Sequence, residues 1–269
     1  MIGSTQQPLD PGELQRAVHT KRLGKKIHYF RTTTSTNSEA FELARRGAEE
    51  GEIVIAESQT QGRGRLGRHW FSPFDRNLCL SVILRPTLPP ADVPQITLLC
   101  AVALAETVQS FLDYSPQIKW PNDILVGGKK LAGVLTESSC ERDRVLFVIL
   151  GIGVNINIPI EMMPEKIRDT ATSLMMCTGG SVDRLAFANG LIHSLDRCYE
   201  DLENNGFAPM ARRWDRFFHL RGRRVRVEMA DRSVSGKAIG IDSDGALLVE
   251  GDEGARERIL AGDVIPVES

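Results

Sequence analysis

Two segments carry charge in patterns that suit anion chemistry. From Gln59 to Trp70 the chain reads Gln-Thr-Gln-Gly-Arg-Gly-Arg-Leu-Gly-Arg-His-Trp, with Arg63, Arg65 and Arg68 interleaved with Gly62, Gly64 and Gly67 and no acidic residue among them. Glycine lets backbone N–H groups approach an anion closely, and arginine supplies planar, permanently charged donors for phosphate or carboxylate. A loop that orders over a phosphorylated ligand is one reading; a solvated basic turn or an RGG-like nucleic-acid contact is the other. No Gly-Lys-Ser/Thr ends the segment, so it is not the common phosphate-binding P-loop. The second segment is Lys119-Trp-Pro-Asn-Asp123, which places one lysine just before a proline-fixed turn. A fixed ammonium suits charge that develops on a carboxylate or phosphoryl oxygen. The plain alternative is an ordinary turn held by Asn122 and Asp123; as a magnesium ligand, Asp123 alone specifies nothing.

Two further segments offer recognition rather than charge. Gly151-Ile-Gly-Val-Asn155-Ile-Asn157 lacks the third glycine and following helix of a dinucleotide fingerprint. Its glycines either admit a flat ligand beside Asn155, whose amide reads a base edge, or mark a β-bulge. Ser35-Thr36-Asn37 reads as a helix cap, with Thr36-x-x-Glu39 as a capping box. The same three short polar side chains suit a small polar head group, and the two uses are compatible.

Other chemistries have no support. There is no Gly-x-Ser-x-Gly, and no Ser or Cys is paired in sequence with a histidine. Cys79, Cys100, Cys140, Cys177 and Cys198 are scattered, odd in number and outside any zinc-type spacing, which predicts reduced thiols packed as small apolar groups. With 33 Lys+Arg against 35 Asp+Glu, the net charge of −2 argues against a surface built for nucleic acid. No uninterrupted apolar run reaches the roughly 18–20 residues of a membrane span, and the N-terminus lacks a secretory pattern. The expected location is the cytoplasm.

The segments between these motifs have the patterns of the elements that hold them. A short amphipathic helix is expected over Pro11–Leu23 and strands over Ile27–Phe30, Ile53–Glu57 and Leu78–Leu84. A helix from Thr36 stops at Gly47, and one with a wide apolar face spans Val93–Leu112. A glycine-turned hairpin joins Ile124–Val126 to Leu131–Thr136, a strand covers Val145–Ile158, and helices run over Val182–Leu202 and Pro209–His219. Beyond Arg221, five short strands in under 50 residues predict a small SH3-like barrel.

Ser35-Thr36-Asn37, Gly62–Trp70, Lys119–Asp123, Gly127–Glu137 and Gly151–Asn157, in that order and spacing, resemble the biotin–protein ligase family over roughly residues 27–267. The resemblance implies an α+β fold, a mixed β-sheet packed with helices of the class II aminoacyl-tRNA-synthetase and biotin-ligase type, plus an SH3-like C-terminal barrel. The implied domains are a helical extension at 1–26, a catalytic unit at 27–219 and the barrel at 220–269. The implied reaction activates biotin with MgATP to biotinyl-5′-AMP and pyrophosphate. The acyl group then passes to a lysine on the carrier domain of acetyl-CoA carboxylase or a related acyl-CoA carboxylase.

By resemblance, Lys119, Arg63 and Arg65 supply catalytic charge, with Lys119 touching both carboxylate and α-phosphate. Ser35, Thr36, Asn37, Gln59, Arg63, Gly64, Arg65 and Lys119 bind biotin. Gly62, Arg65, Arg68, Trp70, Lys119, Asn122 and Asn155 bind ATP and the adenylate, with Trp70 stacked on adenine and Asn155 on its amino edge. The magnesium ligands stay unassigned. Leu66 stands where relatives often carry a basic residue, and Gln61 replaces a small one. Too few residues precede the first strand for a DNA-binding domain, so a ligase-only protein without DNA or membrane partners, monomer or weak homodimer, is expected. Lipoate or octanoate ligation is the neighbouring alternative on the same fold, and a nucleic-acid-binding module built on the arginine loop and Arg221–Arg226 is the distant one.

Overall fold

The computed structural model describes residues 8–267. Residues 1–7 and 268–269, the outer ends of two expected segments, lie outside the described residues. Helix α1 (Pro11–Ala17) leads into β1 (Ile27–Thr33), α2 (Thr36–Arg45), β2 (Ile53–Gln59), β3 (Asn77–Leu84) and α3 (Val93–Gln109). The hairpin region is β4 (Gln117–Lys119), β5 (Asp123–Val126), β6 (Lys129–Glu141) and β7 (Arg144–Asn155). Four helices follow, α4 (Glu165–Arg168), α5 (Leu174–Thr178), α6 (Arg184–Asn205) and α7 (Ala208–Asp215), and then β8 (Arg224–Glu228), β9 (Ser233–Ile241), β10 (Leu247–Glu250), β11 (Arg256–Ile259) and β12 (Asp263–Pro266).

The first seven strands form one sheet in the order β1-β2-β3-β7-β6-β5-β4. Only β1 and β2 run parallel; every other pairing in it is antiparallel. The last five strands form an antiparallel sheet, β11-β10-β9-β8-β12. This matches the SH3-like expectation in strand number, but among the described residues no ladder joins β11 to β12, so the sheet keeps two edges.

Side-chain alternation divides the seven-stranded sheet into unlike faces. Ile53, Ile55, Leu80, Val82, Val148, Leu150 and Val154 join the main core under α3 and α6. Val54, Ile83, Phe147 and Ile149 form a separate cluster under Ala40 and Ala44 of α2. Further along this second face the large residues stop: Ser81 in β3, Gly133 in β6, and Gly151 and Gly153 in β7 leave room above the sheet, beside the N-terminus of α2. The site is built there.

Several expectations shift. Helix α1 ends at Ala17 rather than Leu23, because Val18 turns into extended backbone. The carboxylate of Asp196 then accepts the backbone N–H groups of Lys21, Arg22 and Leu23. The predicted capping box is absent: Ser35 is the N-cap and makes no side-chain cap bond, while the Glu39 carboxylate takes the Thr33 hydroxyl at 2.6 Å. The Thr36 N–H goes instead to Gln59 Oε1, at 2.7 Å. Counting uninterrupted apolar runs also understated α3. Pro90–Gln109 is long and apolar enough to cross a membrane by length and composition, but it is mostly buried inside the protein. Burial on most sides, between the sheet, α6 and α7, is what its composition serves.

Behind the site, Glu57 of β2 is fully buried and meets Arg184 Nη2 at 2.7 Å. It also accepts from Leu9 N and Tyr29 Oη. Burial, reinforced by that carboxylate, pushes the Tyr29 hydroxyl up to about 12. A buried carboxylate with several donors is satisfied and costly to disturb, and it fixes the strand that delivers Gln59. The cysteines are free, but Cys140 is exposed, against the expectation that all five are packed away.

Candidate active site

Two adjoining cavities open on this face. The smaller is lined by Ser35, Thr36 and Asn37 from the start of α2, by Gln59, by Val134 and Leu135 of β6, and by Gly151–Gly153 of β7, under Arg63, Gly64 and Arg65. The larger, of about 490 Å³, runs from Gly64–Arg68 past Lys119, Asp123 and Asn155 to Ile167, Thr170 and Ala171, and is closed at one side by Asp263 and Pro266 of the C-terminal sheet. Gly64, Arg65, Trp70, Asn122 and Lys130 border both.

The polar lining of the smaller cavity is almost fully committed within the protein. Thr36 Oγ1 lies 3.1 Å from Gln59 Oε1 and 2.8 Å from Ser81 Oγ, and Ser81 Oγ lies 2.7 Å from Asn37 Oδ1. Each hydroxyl has one proton, so the chain is directional: Ser81 donates to Asn37, and Thr36 donates to Gln59 or to Ser81. Asn37 Nδ2 donates to Leu135 O at 3.2 Å and to Glu137 Oε2 at 2.7 Å. Gln59 Nε2 donates to Ser72 Oγ at 3.3 Å. The two glycines of β7 explain their type here. A Cβ on Gly151 would fall inside the Asn37 carboxamide, and one on Gly153 would sit 2.5 Å from Trp70 Cε2.

The arginine loop is a small hairpin of its own. Gly64 N donates to Arg68 O at 2.7 Å, and Trp70 N donates to Gly62 O at 2.9 Å. The turn passes through Leu66 at φ 55° and Gly67 at φ 71°. Leu66 thus holds a left-handed conformation that costs a non-glycine residue about 1–2 kcal/mol, and its side chain is 76% exposed. No acid lies within the segment, yet acids reach it from outside. Arg63 Nη2 donates to Glu137 Oε2 at 3.1 Å, and Arg68 Nη2 to Asp263 Oδ2 at 2.7 Å. Arg65 donates to Asn122 Oδ1 at 2.9 Å and Gly262 O at 3.2 Å. Burial pulls the Arg65 guanidinium down against the raising influence of Asp123 and Asp263.

Lys119 Nζ meets Asp263 Oδ1 at 3.1 Å and borders only the larger cavity. Burial alone would raise the Asp263 carboxyl; its bonds to Arg68 and Lys119 outweigh that and hold it below the ordinary range. Of the five residues that border both cavities, two are cations, Arg65 and Lys130. Lys130 Nζ is 2.7 Å from Asp123 Oδ1 and 5.8 Å from the Trp70 ring centre. Its main chain is pinned on both sides, N–H to Thr170 O at 2.8 Å and carbonyl to Thr172 N at 2.9 Å.

Of the residues singled out from sequence, Ser35, Thr36, Asn37, Gln59, Arg63, Gly64, Arg65, Trp70 and Asn122 border the smaller cavity. Arg68, Lys119 and Asn155 border the larger one alone. Gly62 borders neither; its carbonyl closes the hairpin. Trp70 packs its ring over Gly153, and its Nε1 is buried without a hydrogen-bond partner. Asn155 Nδ2 is already given to Thr172 O. Lys130, Glu137, Ser81 and Asp263 were missed. Lys130 and Glu137 both stand in the Gly127–Glu137 segment of the matched pattern, whereas Ser81 and Asp263 had no such signal; the contacts of Glu137, Ser81 and Asp263 come from partners 44 to 195 residues away.

Both parts of the chain match known families. Residues 29–155 match the model of the biotin/lipoate A/B protein ligase family, and residues 221–265 match the biotin protein ligase C-terminal domain. The chain is 38% identical over 256 residues to the bifunctional ligase/repressor BirA of Bacillus spizizenii, covering 95% of this chain and 78% of that protein. It is 34% identical over 235 residues to the biotin–[acetyl-CoA-carboxylase] ligase of Paracoccus denitrificans, covering 86% of this chain and 97% of the other. The biotin protein ligase of Aquifex aeolicus, solved in complex with biotin and ATP, superposes with a TM-score of 0.78 at 27% identity, over 91% of this chain and all of that one. Taken with the paired cavities and the cationic loop between them, these likenesses mean that the chain belongs to the biotin/lipoate A/B protein ligase family and, within it, to the ATP-dependent biotin–protein ligases.

Proposed function

We propose that the smaller cavity takes the ureido head of biotin, that the larger takes the nucleotide, and that the two substrates meet at Lys130. The observation that carries this reading is the position of Lys130, beside Arg65, on the border of both cavities. A carboxylate attacking an α-phosphate brings two anions together, and fixed cations at the meeting point offset that repulsion. In the first step a biotin carboxylate oxygen bonds to the α-phosphorus of MgATP and the bond to the pyrophosphate oxygen breaks. In the second step the neutral amine of an acceptor lysine attacks the acyl carbon, AMP leaves with the bonding electron pair, and the nitrogen loses a proton.

Lys130 takes the bridging role that the sequence resemblance gave to Lys119. Lys119 and Arg68, held by Asp263, face the phosphate side, and Arg65 reaches both substrates. Ser35, Thr36, Asn37 and Gln59 offer donors and acceptors to the ureido ring, and Trp70 and Asn155 face the base. Closing the Gly62–Trp70 hairpin over the adenylate keeps water from the mixed anhydride. Magnesium arrives with the triphosphate. Among the described residues no group of three His, Cys, Asp or Glu side chains is placed to hold a metal, and Asp123 is engaged with Lys130.

The acceptor is a lysine on the carrier domain of a biotin-dependent carboxylase, a reading supported by relatives named for acetyl-CoA carboxylase. Functional boundaries fall at residues 26/27 and 219/220. Action in the cytoplasm, as a monomer or weak homodimer and without DNA, completes the proposal. Its support on the last point is that Arg221, Arg224 and Arg226 of the Arg221–Arg226 run each meet an acid within the chain, Asp215, Asp252 at 2.7 Å and Glu228 at 3.0 Å.

The test is ATP–pyrophosphate exchange with magnesium, comparing biotin, lipoate, octanoate and no acid. Exchange with biotin alone is expected. Exchange driven by lipoate or octanoate would keep the two-cavity chemistry and overturn the assignment of the smaller cavity.

A further inference from the structure

Glu137, on β6, joins the floor of the smaller cavity to the arginine loop. One of its oxygens, Oε2, accepts both from Asn37 Nδ2 at 2.7 Å and from Arg63 Nη2 at 3.1 Å. The Asn37 carboxamide is fixed on its other sides by Leu135 O and Ser81 Oγ, so it cannot rotate without giving up bonds. Arg63 has a second, weaker hold on Ser38 Oγ at 3.4 Å. The Arg63–Glu137 pair is partly exposed, with side chains 48% and 30% accessible, and a pair of that kind is worth little by itself. Its strength therefore depends on how well Glu137 is aimed, and Asn37 does the aiming.

Resting on the reading that the smaller cavity takes the head of biotin, we propose that Glu137 is a positioning residue that couples occupancy of that cavity to closure of the loop. A ligand that accepts from or donates to the Asn37–Ser81 chain adds a further hold on a carboxamide that is already bonded without it. The carboxamide so held keeps Glu137 Oε2 toward Arg63 for longer, and Arg63 keeps its end of the hairpin down. Coupling of this kind is reciprocal: a closed loop holds the ligand more tightly by the same factor. The opposite end of the hairpin is tied to Gly262 and Asp263 by Arg65 and Arg68, so Glu137 governs only the biotin-side anchor.

The experiment uses the full chain, with biotin affinity read by calorimetry and loop closure by trypsin, which cuts after Arg63, Arg65 and Arg68. In the wild type, biotin alone slows cleavage in the loop. Glu137→Ala loses this protection and weakens biotin binding about five- to tenfold. Glu137→Gln keeps a carbonyl oxygen for Asn37 but removes the charge that attracts Arg63, so biotin affinity stays within about threefold while protection is lost. In an Arg63→Ala background, Glu137→Ala changes biotin affinity but no longer changes the rate at which biotinyl-adenylate escapes. A residue that merely supported the fold would move affinity and protection together in both variants. Wild-type protection in Glu137→Gln, or equal adenylate escape effects with and without Arg63, overturns the proposal. A wild type that binds no biotin would instead overturn the reading of the cavity on which it rests.

Discussion

The two cavities are made by opposite means. The smaller is carved from regular structure: the first turn of α2, the end of β2, and small residues on β6 and β7, with its polar atoms already bonded to one another. The larger joins the ends of β4 to β7 to loops and to a separate sheet, and its charged groups are tied by ion pairs that cross between the two sheets or from loop to sheet, as in Lys119–Asp263 and Arg68–Asp263. A rigid, pre-satisfied pocket suits recognition of one neutral polar shape, where displacement of any group leaves another unpaired. Exchangeable ion pairs suit anions that change through a reaction, since phosphates can replace the carboxylate that holds each cation. Lys130 belongs to both regimes, with its main chain locked and its ammonium on Asp123.

The largest expected effect falls at this border. Lys130→Ala should lower biotin-dependent pyrophosphate exchange by about 10²–10³-fold, whereas Lys119→Ala should cost less, since Lys119 borders only the larger cavity. Equal losses in the two variants would return the bridging role to Lys119. A smaller effect tests the rigid side. Gly151→Ala drives a methyl group into the Asn37 carboxamide. The unpaired groups left behind cost about 1–3 kcal/mol, or roughly a 10- to 100-fold rise in biotin Kd. Calorimetry should show ATP binding unchanged, and a parallel loss of both would mean that the cavities are not separable.

The smallest effect sharpens the exchangeable side. The Asp263 carboxyl is held below its ordinary 3.8 by Arg68 and Lys119 against the cost of burial. A carboxyl lowered in the folded state stabilises fully above its unfolded value, and that contribution is lost as pH falls through the folded one. Wild type should therefore exceed Asp263→Asn in Tm at neutral pH, and the gap should close in acid below the ordinary carboxylate range. A gap that persists there would mean that packing of β12, rather than its charge, joins the two sheets.

The same division explains what could be read from the residues alone. The Gly62–Trp70 loop, the Lys119–Asp123 turn and the Gly127–Gly128 hairpin announce themselves through local chemistry, and the strands that flank them follow from alternation. The polar skeleton of the smaller cavity does not. Ser81 reads as one polar residue in an apolar strand, and only register places it beneath Thr36 and Asn37. Glu137 reads as the polar end of a hairpin strand until Arg63 arrives from 74 residues away. The missing capping box has the same cause. The local pattern at Thr36 and Glu39 was sound, but Gln59 offered a better acceptor across the sheet. Lys130 was hidden by its neighbour, because a Lys-Lys pair after two glycines looks like a solvated turn. Its contact with the 170–172 segment is what takes it inward.

The tie between Arg65 and Gly262, and those from Arg68 and Lys119 to Asp263, join residues 144 to 197 positions apart in the sequence. During synthesis the strands that floor the smaller cavity emerge first, Arg184, which braces Glu57 of β2, comes later, and β12 leaves the ribosome last. A nascent chain still short of residue 263 lacks the carboxylate that holds both Arg68 and Lys119. Translation thus delivers the walls of the smaller cavity before the group that ties the cations of the larger one.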